Sequence, residues 1–169
     1  MHIRHYCRID RLIHTSGQPQ PAEFALIRQA GAETVVNLAQ FEHPDALSNE
    51  AELVAAQGMN YIQIPVAWQA PQPQQYRLFQ AIMQTHRDRP IWLHCALNRR
   101  VACFVYLYRT RCLGVPEPVA QRDLASIWQP DEVWTRFMES IKREDERMPA
   151  MSCARSYAPP SGPEAKPTP

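Results

Sequence analysis

The chain has 169 residues, 45% of them apolar, and a formal net charge of +1. This length suits one domain able to bury a real core. Near-neutrality gives no general attraction to nucleic acid or an acidic membrane surface, and no apolar run approaches the roughly 20 residues that span a bilayer.

The N-terminal "MHIRHYCRID" lacks the apolar stretch of a signal peptide, so a cytoplasmic location is expected. A strand or hairpin is read over about 5–14. Ser16, Gly17 and Pro19 then make a turn. Pro21 suits the first turn of a helix with Phe24, Ile27 and Ala30 on its apolar stripe, stopped by Gly31. "TVVNLA" (34–39) reads as a buried strand. The loop "QFEHPDALSNE" leads to a helix that ends at Gly58, with Ala51, Val54 and Ala55 expected inward. "YIQIPV" (61–66) is a third strand. Pro71 and Pro73 break the following loop, and Tyr76, Phe79, Ile82 and Met83 mark a helix. "PIWLHC" is a fourth strand, and Arg99 to about Leu113 an apolar helix. "VPEPVAQRDLASIWQP" reads as a loop and a short helix. The last helix carries Val133, Trp134, Phe137 and Ile141 on one face, with Asp131 as its N-cap. Residues 1–146 are taken as one α/β domain. Residues 147–169 hold six prolines and read as a disordered tail.

Strands alternating with helices imply a central, mostly parallel sheet of four to five strands with helices on both faces. In such sheets ligands bind beyond the carboxyl ends of the strands. Cys95 lies at such an end, and the loops after 39 and 66 share its rim.

The stretch "IWLHCALNRRVA" carries the chemistry. A helix's first turn has unpaired N–H groups and a partial positive charge, so the strand-to-helix loop before it forms an anion cradle. A thiol there becomes nucleophilic at neutral pH. Arg100 adds a planar fork that matches two oxygens of a tetrahedral oxyanion. Cys95 is expected to attack, Arg100 to hold the anion, and His94, Ala96, Leu97, Asn98 and Arg99 to complete the cradle, mainly through backbone N–H groups. With no glycine in the loop, Asn98 is the residue that tolerates a left-handed turn. The five cysteines include no C-x-x-C pair, so neither a zinc cage nor a disulfide framework is indicated. Cys103 and Cys112 fit the core.

The segments "HTSGQPQPAEF", "AGAETVVNLA", "GMNYIQIPV", "IWLHCALNRRVACFVYLYR" and "IWQPDEVWTRF" resemble the cysteine-dependent protein phosphatase superfamily, nearest its bacterial dual-specificity-like members. The resemblance spans about 11–137. It implies a phosphatase-like α/β fold, Cys95 as nucleophile, Arg100 as phosphate-binding arginine, and a phosphorylated substrate or other small oxyanion. The thiolate and arginine supply the chemistry themselves, and no metal or organic cofactor is implied. Two features depart from the superfamily's pattern. Four residues separate Cys95 from Arg100 where the signature has five, and Val101 takes the usual arginine position. A four-residue spacing resembles the rhodanese sulfurtransferases, which use a cysteine persulfide. The general acid is the other departure, because "VAWQAPQPQ", where the superfamily carries an aspartate, has no acid. Glu42 and Asp45 are the nearest substitutes, and Asp45 is taken with Cys95 and Arg100 as the catalytic set. Trp68 either walls the pocket or packs under it. A sulfurtransferase and a catalytically weak phosphate-binding pseudophosphatase stand as the alternatives.

Overall fold

In a computed structural model describing residues 2–148, the chain forms one five-stranded sheet and six helices. The elements are β1 (Cys7–Arg8), β2 (Ile13–Ser16), α1 (Glu23–Gln29), β3 (Thr34–Asn37), α2 (Glu50–Ala56), β4 (Asn60–Gln63), α3 (Pro73–Thr85), β5 (Ile91–His94), α4 (Arg99–Arg111), α5 (Glu117–Ile127) and α6 (Glu132–Arg147). The strand order is β1-β2-β5-β3-β4, parallel except for the β1–β2 pair. The last strand in sequence is therefore the central one. β2 and β3 flank it in register, with Ser16 and Asn37 opposite His94.

Alternation along the strands divides the core between the two faces. Val35 and Trp92 point to the side packed with Phe24 and Ile27 of α1 and Val54 of α2. Val36, Ile91 and Leu93 point to the larger side, where Phe79, Phe104, Leu107, Leu124, Trp134 and Ile141 gather from α3 to α6. Helices thus cover both faces. Asp131 caps α6 by accepting the Trp134 N–H at 3.0 Å. Cys103 and Cys112 are core residues, whereas Cys153 lies outside the described residues.

Several expected elements shift. β2 runs through Ser16, which had read as turn, because parallel pairing with β5 extends to His94. β3 and β4 end two and three residues early, at Asn37 and Gln63. Past them the chain holds the sheet by single bonds, Leu38 to the His94 carbonyl and Val66 to that of Leu38. The short helix after Gly114 is an eleven-residue helix, started at Pro116 and Glu117. α2 is rotated from the expected face. Ala51 and Ala55 are exposed, and Glu50 is buried with Val54. Of the segment 147–169, Arg147 closes α6, and residues 149–169 lie outside the described residues. Among the described residues, no helix is long and apolar enough to cross a membrane.

Candidate active site

β5 delivers His94 and Cys95 to the carboxyl edge of the sheet between two supporting loops. After β2, Gly17 lies against the cysteine loop so closely that a Cβ would stand 2.8 Å from the Ala96 carbonyl oxygen. Only glycine allows this approach. The Gln18 N–H donates to the same oxygen at 3.0 Å. The loop then turns into α4 at Asn98, whose φ is +62°. Asn98 Nδ2 donates to the His5 carbonyl at 2.8 Å and to Thr15 Oγ1 at 2.9 Å. Its side chain anchors the loop and turns away from the open side.

A cleft of about 410 Å³ opens over this loop, lined by Cys95, Ala96, Leu97, Arg99 and Arg100 on one side and by Gln40, Glu42, His43, Pro44 and Trp68 on the other. Cys95 and Arg100 are its buried floor, 1% and 5% exposed, and Arg99 is an exposed wall. The Arg100 guanidinium lies over the Trp68 ring, 5.4 Å from its centroid, and its Nε has no hydrogen-bond partner. A buried donor without a partner, on a residue that lines a cleft, is a group that a bound acceptor would satisfy. α4 starts at Arg99, so its unpaired first-turn N–H groups and positive pole meet the same space. Cys103, one turn into α4, lies in the core, where burial pushes its thiol well up and makes it inert.

His94 does not line the cleft. It is fully buried beneath the loop, with Nε2 2.6 Å from Glu50 Oε1. Glu50 Oε2 accepts from Gln18 Nε2 at 3.2 Å and Asn37 Nδ2 at 3.1 Å. Asn37 also donates to the Tyr61 hydroxyl. Burial first, then the Glu50 charge, pushes the Tyr61 phenol up to about 12, so it stays a neutral donor to Gln63 Oε1. This network ties the ends of β3, β4 and β5 to α2 directly under Cys95. Sequence reasoning missed Glu50, although its position one turn before Val54 was a signal that the two share a face.

The structure does not bring Asp45 into the cleft. Its carboxylate accepts from Arg4 Nη1 at 2.9 Å on the outer side of the loop. Glu42 of the same loop lines the cleft instead, beside His43. His43 Nδ1 accepts the Asp45 N–H at 3.1 Å, which gives the neutral ring its proton on Nε2.

A family described as "DSP-PTPase phosphatase fused to NAD+ Kinase" matches residues 8–140. A putative phosphatase (DUF442) from Shewanella putrefaciens CN-32 is 30% identical with a TM-score of 0.77, over 85% of this chain and 94% of that one. TpbA of P. aeruginosa, in complex with pTyr, has a TM-score of 0.66 at 17% identity, over 87% of this chain and 90% of that one. The core catalytic domain of the PP-IP phosphatase SIW14 from S. cerevisiae has a TM-score of 0.69 at 15% identity, over 87% and 94%. The last two likenesses concern the fold. No curated protein matches the chain.

Proposed function

The chain belongs to this DSP-PTPase family within the cysteine-dependent, tyrosine-phosphatase-like superfamily, and from that premise we propose that it hydrolyses phosphate monoesters through a thiophosphate on Cys95. The observation that carries the reading is one cleft floored by a buried thiol and by a buried arginine whose Nε is unpartnered, at the start of a helix.

The Arg100 fork and the first-turn N–H groups of α4 bind the phosphoryl oxygens and stabilise the charge that builds on them. Cys95 Sγ, as thiolate, attacks phosphorus, an S–P bond forms, and the ester P–O bond breaks. The leaving oxygen takes a proton from Glu42, the carboxyl group lining the cleft. Water then attacks the S–P bond and yields its proton to Glu42. Inorganic phosphate leaves and the thiolate is restored. Asp45, paired with Arg4, acts on the shape of the loop and the position of Glu42, not on the leaving group.

Glu50 and His94 hold the base of the loop in one geometry from below. Paired groups so deeply buried tolerate little displacement, because loss of either partner strands a buried charge or donor.

The four-residue spacing between Cys95 and Arg100 also suits a sulfurtransferase. Steady-state assays of 4-nitrophenyl phosphate hydrolysis and of sulfur transfer from thiosulfate to cyanide, run side by side, separate the two. Phosphate release lost in Cys95→Ser, without thiocyanate formation, supports the phosphatase. Cys95-dependent thiocyanate without phosphate release overturns it.

A further inference from the structure

Arg99 and Arg100 are adjacent in the first turn of α4, and both line the cleft. Among the described residues, neither guanidinium has an ion-pair or hydrogen-bond partner. Each instead lies over an indole face, Arg100 over Trp68 at 5.4 Å and Arg99 over Trp128 at 5.5 Å. The two indoles touch each other, with centroids 5.2 Å apart, and Trp128 Nε1 donates to the Arg99 carbonyl at 3.1 Å. Arginine, tryptophan, tryptophan and arginine thus form one continuous row of contacts, with the two indoles tilted by 44°, at the edge of the cleft.

Stacking on an indole fixes a guanidinium in place without neutralising it, and leaves the N–H groups at its edge free to donate. The position is electrostatically costly, because the start of a helix carries positive charge of its own and favours anions. Two unneutralised cations in that turn become favourable once anions join them. Arg100 alone meets the needs of one phosphoryl group above Cys95. Arg99 is a second, pre-positioned fork on the exposed wall, and Glu42 is the one carboxylate among the described lining residues to oppose it.

We propose that the cleft selects doubly anionic ligands, with a phosphate monoester over Cys95 held by Arg100 and a second phosphate or carboxylate held by Arg99 on its Trp128 platform. This specificity rests on the phosphatase reading and names the substrate class for the same site. A phosphorylated residue in a neutral peptide leaves Arg99 unused. A small bisphosphate, or a phosphate ester bearing a carboxylate, uses both arginines.

The test is calorimetric titration of the full chain carrying Cys95→Ser, which binds without turning over, with α,ω-alkanediol bisphosphates of increasing chain length, each against its monophosphate, with inorganic phosphate as reference. The best-fitting bisphosphate is expected to bind at least about tenfold tighter than its monophosphate, the gain from one added charge-assisted contact. Raised ionic strength shrinks this advantage, as expected for an exposed cation. Arg99→Gln reduces it to about twofold or less, and Trp128→Leu, which removes the platform, lowers it in the same direction. Arg99 is exposed, so its replacement does not threaten folding. Bisphosphates binding no tighter than monophosphates, or an advantage that survives Arg99→Gln, overturns the proposal. If aryl phosphate is still turned over with Cys95 dependence, that failure is confined to specificity. If inorganic phosphate and both ester classes all fail to bind, this proposal and the phosphatase reading fall together.

Discussion

The two ends of α4 treat arginine in opposite ways. At the C-terminal end, where helix polarity already favours cations, Arg109 pairs with Asp123 and Arg111 with Asp145, which also holds Arg77. At the N-terminal end, where polarity disfavours them, Arg99 and Arg100 form no ion pair among the described residues and rest on tryptophans. The thiols divide the same way, with Cys95 lining a cleft and Cys103 sealed among apolar side chains. One helix therefore carries ion-paired arginines at its C-terminal end and, in its first turn, the two arginines to which we assign anion binding.

Exchanging the thiols probes this division most strongly. Cys95→Ser is expected to lower kcat for an aryl phosphate by about 10³-fold or more, with thermal unfolding little changed. Cys103→Ser buries a hydroxyl in an apolar site, so it lowers the unfolding temperature and leaves kcat near wild type. Matched losses in the two variants break the comparison.

Removing the support beneath the loop comes next. Glu50→Ala strands His94, Gln18 and Asn37 in a buried site and is expected to cost about 3 kcal/mol in denaturant unfolding. A cost below about 1 kcal/mol, the range of an exposed pair, contradicts the role given to the network.

The arginines sharpen the contrast. Arg100→Met is expected to reduce kcat/KM by about 10²-fold at unchanged stability, because a group that stabilises transferring charge is lost. Arg109→Met is expected to destabilise by about 1–2 kcal/mol, discounted for the partly exposed Asp123, and to leave kcat/KM intact.

The smallest effect is one of pH. Hydrogen bonds from Lys142, then Tyr106, hold the Glu117 carboxyl below the usual range. A carboxyl depressed in the folded state adds stability that is fully present above its unfolded value of about 4.3 and fades as pH falls through the lower folded value. Acid unfolding of Glu117→Gln is therefore expected to show a shallower decline below that pH than wild type. Parallel curves show that the cluster does not contribute.

The parts of the site legible in the sequence are those set by local pattern. The apolar run 91–94 and the start of a helix at Arg99 locate Cys95 and Arg100, and the absence of glycine points to Asn98 as the left-handed residue. Contacts between distant segments were not legible. His94 meets Glu50 across a strand order that no single segment encodes, and the inward face of α2 is set by that partner and not by its alanines. Trp68 and Trp128 are sixty residues apart and become one platform only because α5 packs along α4. Asp45 and Glu42 share a loop and a charge. Asp45 pairs with Arg4, a residue more than forty positions away, while Glu42 lines the cleft, and local sequence does not encode that pairing.

The most direct test of the central claim is to trap the covalent intermediate. Wild-type protein is mixed with an aryl phosphate carrying radiolabelled phosphorus, quenched within the first turnover, and digested for peptide mapping. Label on the peptide containing Cys95, absent from Cys95→Ser and chased by unlabelled substrate, is the predicted result. Turnover without label on that peptide, or label elsewhere, contradicts the assignment of Cys95 as nucleophile.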